Sequence, residues 1–437
     1  MKILGIYLIA FLIFFESSAF GQISDKDFIE AVRLNKAGVV DVFITGGANP
    51  NARDSSGNSA LIIAVNNGNE DIAEILIKNG ANVRESYKMG MSILMLAINK
   101  KMARTAKLLI KNNADLTVTL PNGENALIIA AEKKLDEIAK DIVAKKQIDI
   151  NAKTSQGFTA LSAAVKNGNA ELAKFLNRSG AAPITILEAV FVGDLKACKE
   201  FIENGADIEA SDKNGRTPLI NAYAVENYEL AQFLLSKGAD INARDGLLLT
   251  PVLYASMADN NALLSLALSH KADVNVKDLN GATPLMHEIF KDNDEAAEQI
   301  LKYDSSSVNY VDNNFTTALV IAVSRGNIKL TEKLIKSGAN INPKDSRKPL
   351  NAAISAENFQ LVDLLLNKGA RINAKDLNGE SPLITAAAKN SLGGVKFLVI
   401  RGARINTRDK AGFTPFDYAS KHANAEMMKI LRTARVQ

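Results

Sequence analysis

The sequence predicts a mostly α-helical solenoid of about 12 or 13 stacked helix pairs carrying short β-hairpin tips. Three observations predict it. A short mark, Gly-Ala followed by Asp or Asn, recurs with equivalents at Gly47, Gly80, Asn113, Gln147, Gly180, Gly205, Gly238, Lys271, Ser305, Gly338, Gly369 and Gly402. Seven of the eleven intervals are 33 residues, two are 34, one is 31 and one is 25. Such a period signals stacked units, each too small to bury its apolar face alone. Between marks lie two apolar-periodic stretches, and between units lie turn clusters such as Asp212-Lys213-Asn214-Gly215 and Asp278-Leu279-Asn280-Gly281.

The elements follow in order within one unit, NSALIIAVNNGNEDIAEILIKNGANVRES from Asn58. The spacing predicts a first helix from about Leu61 to Asn67 and a second from about Asp71 to Asn79. Gly80 then takes the position past the second helix, where a left-handed backbone favours Gly or Asn; Asn113 is the expected substitute. The aspartates at Asp54, Asp212, Asp278, Asp376 and Asp409 recur by unit, as turn formers rather than catalytic groups. Lys78, Lys111, Lys145, Arg178 and Lys336 recur in the last turn of second helices, where a cation complements the helix dipole.

The order breaks once. Between Gly180 and Gly205 both helices are present, ITILEAVFVG and DLKACKEFIENG, but the hairpin residues that should precede them are missing. The first unit lacks them too, so an array restarts, and Pro183 interrupts hydrogen bonding at the seam. The expected organisation is a signal peptide at 1–21, a first array at 22–180 and a second at 181–437. One deletion inside a single continuous stack is the alternative.

The N-terminus reads as an address. Lys2 precedes an apolar run from Ile3 to Phe15, with small residues at Ala19 and Gly21. Thirteen helical residues reach roughly 20 Å, short of a hydrocarbon core about 30 Å thick. A signal peptide removed before Gln22 is expected, and with it a periplasmic or secreted protein without stable membrane insertion. An uncleaved anchor is the alternative. The only cysteine, Cys198, leaves no internal disulfide and no thiol near the cleavage point to carry a lipid; its apolar-periodic setting predicts a buried thiol.

Charge and motifs exclude several classes. The 52 basic and 48 acidic residues leave a net charge of +4, too mild to argue for nucleic acid. His270, His287 and His422 have no second ligand at metal-like spacing, and no dinucleotide, P-loop or nucleophile-elbow motif occurs. No catalytic, cofactor or metal residue is expected, nor an enzyme.

Thr217-Pro218-Leu219, Thr283-Pro284-Leu285, Thr414-Pro415-Phe416 and Ser381-Pro382-Leu383 place a hydroxyl N-cap before a proline at the first helical position. With the period, these motifs resemble the ankyrin repeat family over about residues 27–434. One feature departs: the family's histidine after Leu is replaced by Ile62, Met95, Ile128, Ile220, Met286 and Ile384, which puts its polar tie between repeats in doubt. The resemblance implies a non-enzymatic protein-protein interaction scaffold that recognises a protein partner through hairpin tips and a concave first-helix face. A structural or protective companion of a cell-envelope enzyme and a secreted effector that binds host proteins are the alternatives.

The resemblance also places the pair equivalent to Asn66 and Asn67 on the concave side. This pair is polar through the first array, then becomes Phe191/Val192, Ala224/Val225, Met257/Ala258 and Phe290/Lys291. Leu247, Leu248, Leu249 and Leu279 stand at tips of the same stretch. Phe191, Val192, Val225, Met257, Phe290 and these four leucines are therefore the expected partner-binding residues. Burial of the stripe against the first array is the alternative.

Overall fold

The computed structural model describes residues 24–434. Among them 26 α-helices form thirteen successive pairs, from Asp25–Arg33 with Ala37–Thr45 to Pro415–Lys421 with Ala425–Thr433. We number the pairs as repeats 1 to 13. A typical repeat has a first helix of seven residues, such as Ala60–Asn66, and a second of nine, such as Glu70–Lys78. Helices this short are marginal alone in water, so packing must hold them. First helices pack on their own second helices, as Ala60–Asn66 does on Glu70–Lys78, and on the first helix of a neighbouring repeat, as Ala126–Glu132 does on Ala160–Lys166.

Sequence explains the local geometry. Thr217, Thr283 and Ser381 accept the amide N–H of Ile220, Met286 and Ile384 at 3.3, 3.3 and 3.4 Å, and Thr414 forms a capping box with Asp417. The residues that stand where the family has histidine all point inward: Ile62, Met95, Ile128, Ile220, Met286 and Ile384 are buried, each worth roughly 2 kcal/mol of apolar burial. A different polar tie joins repeats. Asn51 Nδ2 donates to the Gly80 carbonyl at 3.2 Å while its Oδ1 accepts from the Asn82 amide at 2.7 Å. Asn151, Asn309 and Asn342 make the same pair of bonds further along.

The turn aspartates do as expected: Oδ1 of Asp212, for example, accepts from the amides of Asn214 and Arg216 at 2.8 and 3.0 Å. Asp245 and Asp312, not singled out in the sequence, act alike. The tips are turns rather than strand pairs. Where pairing occurs it is one isolated bridge, as at Arg53 with Ser59 and Val311 with Thr317, because the arms are too short to extend a ladder.

Gly80, Asn113 and Lys271 take left-handed backbones at φ 87°, 60° and 62°. Two marks are corrected. Lys146, not Gln147, is left-handed at φ 53°, with Lys145 capping the helix before it. In repeat 9 the second helix Asp294–Tyr303 has ten residues, and Ser305 has φ −100°. The longer helix accounts for the 34-residue interval that ends at Ser305, while from Lys146 the extra residue falls in the following interval, 34 residues to Gly180.

The chain divides into two compact units, Met1–Cys198 and Lys199–Gln437, the division falling inside the helix Leu195–Glu203. Within the first unit, the helix Ile186–Val192 packs on both helices of repeat 5, Ala160–Lys166 and Ala170–Arg178, directly across the missing tip. Asn177 Nδ2 ties the junction by donating to the Ala181 carbonyl at 3.2 Å. The 1–21 segment lies outside the described residues. No described helix is long and apolar enough to cross a membrane.

Candidate protein-binding surface

Every repeat turns between its helices through one left-handed residue: Asn35, Gly68, Lys101, Lys134, Gly168, Gly193, Glu226, Asp259, Asp292, Gly326, Glu357, Asn390 and Ala423. Only four are glycine, so chemistry does not reveal this mark to sequence reasoning. It lies two residues past the end of the first helix in eleven repeats and one past in repeats 6 and 8, and the two residues before it close that helix end. In repeats 8 and 9 that leaves Met257 42% and Phe290 65% exposed. The Arg325 guanidinium of repeat 10 stands 5.6 Å from the Phe290 ring centroid and pairs with Asp292. Lys291 Nζ donates to the carbonyls of Ser256 and Met257, which fixes the backbone beneath the Met257 side chain.

The tips of these repeats add three leucines, Leu247, Leu248 and Leu279, all at least half exposed. Leu248 has φ 61° where most tips have glycine. A Cβ at the equivalent Gly215 would stand 2.9 Å from the Gly246 nitrogen, and the Gly246 amide donates to the Asn214 carbonyl at 2.8 Å. Asn313 bonds likewise to Asn280, at 2.9 Å. Leu248 brings the Cβ that glycine omits, and no such bond joins the tips of repeats 8 and 9 among the described residues.

The other expected contacts are corrected or moved. Val192 is 8% exposed and joins the core of the first unit, with half-buried Phe191 packed against it. Repeat 6 has no tip, so its first helix rests directly on repeat 5. Leu249, immediately before the N-cap Thr250, is 7% exposed, and Val225 is half-buried. Met257, Phe290, Leu247, Leu248 and Leu279 remain, all in the second unit.

Sequence reasoning missed Glu288. Twelve repeats carry alanine there, from Ala31 and Ala64 to Ala386 and Ala419, as the carbonyl that accepts from the start of the second helix. Repeat 9 carries a glutamate that is 1% exposed. Burial pushes its carboxyl up to about 7; Asp259 adds to the shift, while Lys291 and Asn293 oppose it. Asn293 Nδ2 donates to Glu288 Oε2 at 3.0 Å and to Asp259 Oδ1 and Asn261 Oδ1 at 2.7 Å each. Aligning the repeats column by column would have found it.

A second opening follows from the 31-residue interval. The short tip of repeat 11 leaves a cleft of 720 Å³ lined by Phe315, Arg347, Asn351, Asp376, Glu380 and Lys389 among others. Asn351 Nδ2 donates to the Glu380 carbonyl at 3.1 Å, and its buried Oδ1 has no partner among the described residues.

Two histidines make contacts within their own repeat, His270 Nδ1 with the Leu266 carbonyl and His287 Nε2 with Asp278, and His422 Nε2 reaches the Ala388 carbonyl of the preceding repeat. Among the described residues no cluster of three or more His, Cys, Asp or Glu is placed to hold a metal. Cys198 is fully buried, which pushes its thiol up to about 12, away from a nucleophile's range.

A family model described as ankyrin repeats (3 copies) matches residues 28–120, 94–185, 182–245, 252–345, 319–409 and 350–436. No curated protein matches the chain. One similar solved structure is the ankyrin repeat domain of Bcl-3, described as a unique member of the IkappaB protein family. It is 24% identical, with a TM-score of 0.44 over 50% of this chain and 100% of that one.

Proposed function

Because the chain belongs to the ankyrin repeat family, whose repeats are generally protein-protein interaction modules, we propose that it is a non-enzymatic scaffold that binds a protein partner through repeats 8 and 9. One observation carries the reading: Met257, Phe290, Leu247, Leu248 and Leu279 stay exposed on the tips and first-helix ends of consecutive repeats. Exposed apolar side chains in neighbouring positions mark interaction sites, and Phe and Met are frequent anchors. We also propose export, supported by the apolar run from Ile3 to Phe15 and the small residues before Gln22.

A photo-cross-linking phenylalanine analogue at position 290 is expected to give one discrete protein adduct in cells, lost when Met257→Asp is added. The melting curve of Met257→Asp stays close to wild type, since the side chain is exposed. A collapsed melt, or the same adduct with and without Met257→Asp, would refute the surface. For export, N-terminal sequencing of the cellular protein is expected to begin at Gln22; recovery of Met1 from a membrane pellet would favour an anchor.

A further inference from the structure

The left-handed turn between helices carries opposite charge in the two units. In the second unit it is Glu226, Asp259, Asp292 and Glu357 in four repeats. In repeats 3 and 4 of the first unit it is Lys101 and Lys134, each preceded by a lysine at the helix C-cap, Lys100 and Lys133. Three of the acidic residues are met by the next repeat: Asn260 donates to Glu226 at 3.1 Å, Asn293 to Asp259 at 2.7 Å, and Arg325 pairs with Asp292. The four lysines are not met. None of their side chains has an ion pair or hydrogen bond among the described residues, and the left-handed residue one repeat on from Lys101 is another lysine, Lys134.

The carboxylates that begin the second helices of repeats 2 and 4 are already engaged. Glu70 and Asp71 hold Arg104 at 2.9 and 3.1 Å, Asp136 accepts from Asn169 at 2.8 Å, and Glu137 pairs with Lys140 at 3.0 Å. Glu132 is the one carboxylate within these turns. In repeat 5 the row ends in Asn167 and Gly168, and Lys166, at the register of Glu132, stands 5.5 Å from the ring centroid of exposed Phe158 at the tip. A cation at a helix C-cap complements the dipole, which accounts for Lys100 and Lys133. It does not account for Lys101 and Lys134, which lie past the helix at φ 57° and 59°, where the flanking repeats have Gly68 and Gly168.

We propose that this rim binds an acidic segment of a protein partner, with Lys100, Lys101, Lys133 and Lys134 meeting its carboxylates. The proposal rests on the reading of the chain as a protein-binding scaffold and names the chemistry of what it takes. The charge is confined: repeat 2 has Asn67 and Gly68 at these positions, and repeat 6 has Val192 and Gly193. Two repeats at roughly 10 Å each span about six residues of extended chain at about 3.3 Å per residue. A duplex or a membrane calls for a broader basic face. A second copy of this chain fits poorly, because three of its four acidic turns are already paired.

The test is fluorescence anisotropy of a labelled hexaglutamate peptide with the purified full chain, against hexaglutamine, oligothymidylate and phosphatidylglycerol vesicles. Hexaglutamate binds, hexaglutamine does not, and the complex weakens as salt rises. Changing Lys100, Lys101, Lys133 and Lys134 together to Gln lowers hexaglutamate affinity about 30-fold, four exposed ion pairs being lost, with an unchanged melting curve. Equal affinity for the quadruple variant, or tighter binding of the oligonucleotide or the vesicles through the same lysines, overturns the proposal. The cross-link from position 290 reports the scaffold reading separately: an intact adduct beside failed hexaglutamate binding overturns the rim alone, and a missing adduct leaves the hexaglutamate result standing.

Discussion

Replacing Glu288 by alanine raises the stability of the protein at pH 8 by about 3 kcal/mol more than at pH 4. The folded carboxyl titrates at about 7 because it is buried, against about 4.3 in an unfolded chain. Below the unfolded value both states hold the proton and the group has no effect. As pH rises towards 7 the unfolded state releases its proton while the folded state keeps it, so stability falls; above 7 the loss is complete. The charged groups facing the carboxyl are Asp259 from repeat 8 and Lys291 from repeat 9. Alanine suits the position because twelve other repeats use it. Any packing change on truncation is the same at every pH, so the pH slope carries the test. Urea melts of wild type, Glu288→Ala and Glu288→Gln across this range check it; parallel profiles for all three would show that the carboxyl is not held neutral by burial.

Gly123→Ala is expected to destabilise the protein by about 3 kcal/mol, and Gly57→Ala by only about 1 kcal/mol. Both glycines sit at tips with left-handed backbones, φ 84° and 79°. A side chain in that conformation costs about 1 kcal/mol at either site. Around Gly57 there is open space, whereas a Cβ on Gly123 would stand 2.5 Å from the Lys153 carbonyl oxygen and 2.7 Å from the Thr154 Cα. The tip of repeat 5 must then move away, and the 2.8 Å bond from the Ser155 amide to the Asn122 carbonyl is lost. Chemical denaturation of the two variants measures the difference. Equal costs would show that contact between tips adds nothing to stability.

Much of the fold was legible because repetition writes one structural requirement many times. The period, the helix pairs, the Thr-Pro caps and the turn aspartates each follow from a local rule: a hydroxyl that caps, a proline that lacks only an unneeded N–H, a carboxylate that closes its own turn. Helix ends came out one residue displaced, as Ala60–Asn66 and Glu70–Lys78 show. Gln147 and Ser305 failed because an extra residue shifts the left-handed position or lengthens the helix, and letters alone do not say which.

By itself, then, the sequence determined the repeat, its helices and caps, and the column of alanines that Glu288 interrupts. Tertiary structure alone decided which members of the apolar stripe face water. Phe191 and Val192 read like Met257 and Phe290 in the sequence, yet repeat 6 lacks a tip and its helix settles onto repeat 5, while repeats 8 and 9 leave theirs at an open rim. It also decided that residues as unlike as glycine, lysine, aspartate and alanine share one left-handed turn, and that among the described residues three acidic ones have partners while the four lysines have none. The physical reason is common to both: exposure and pairing depend on the neighbour one repeat away, about 33 residues distant along the chain, and no local preference encodes that contact.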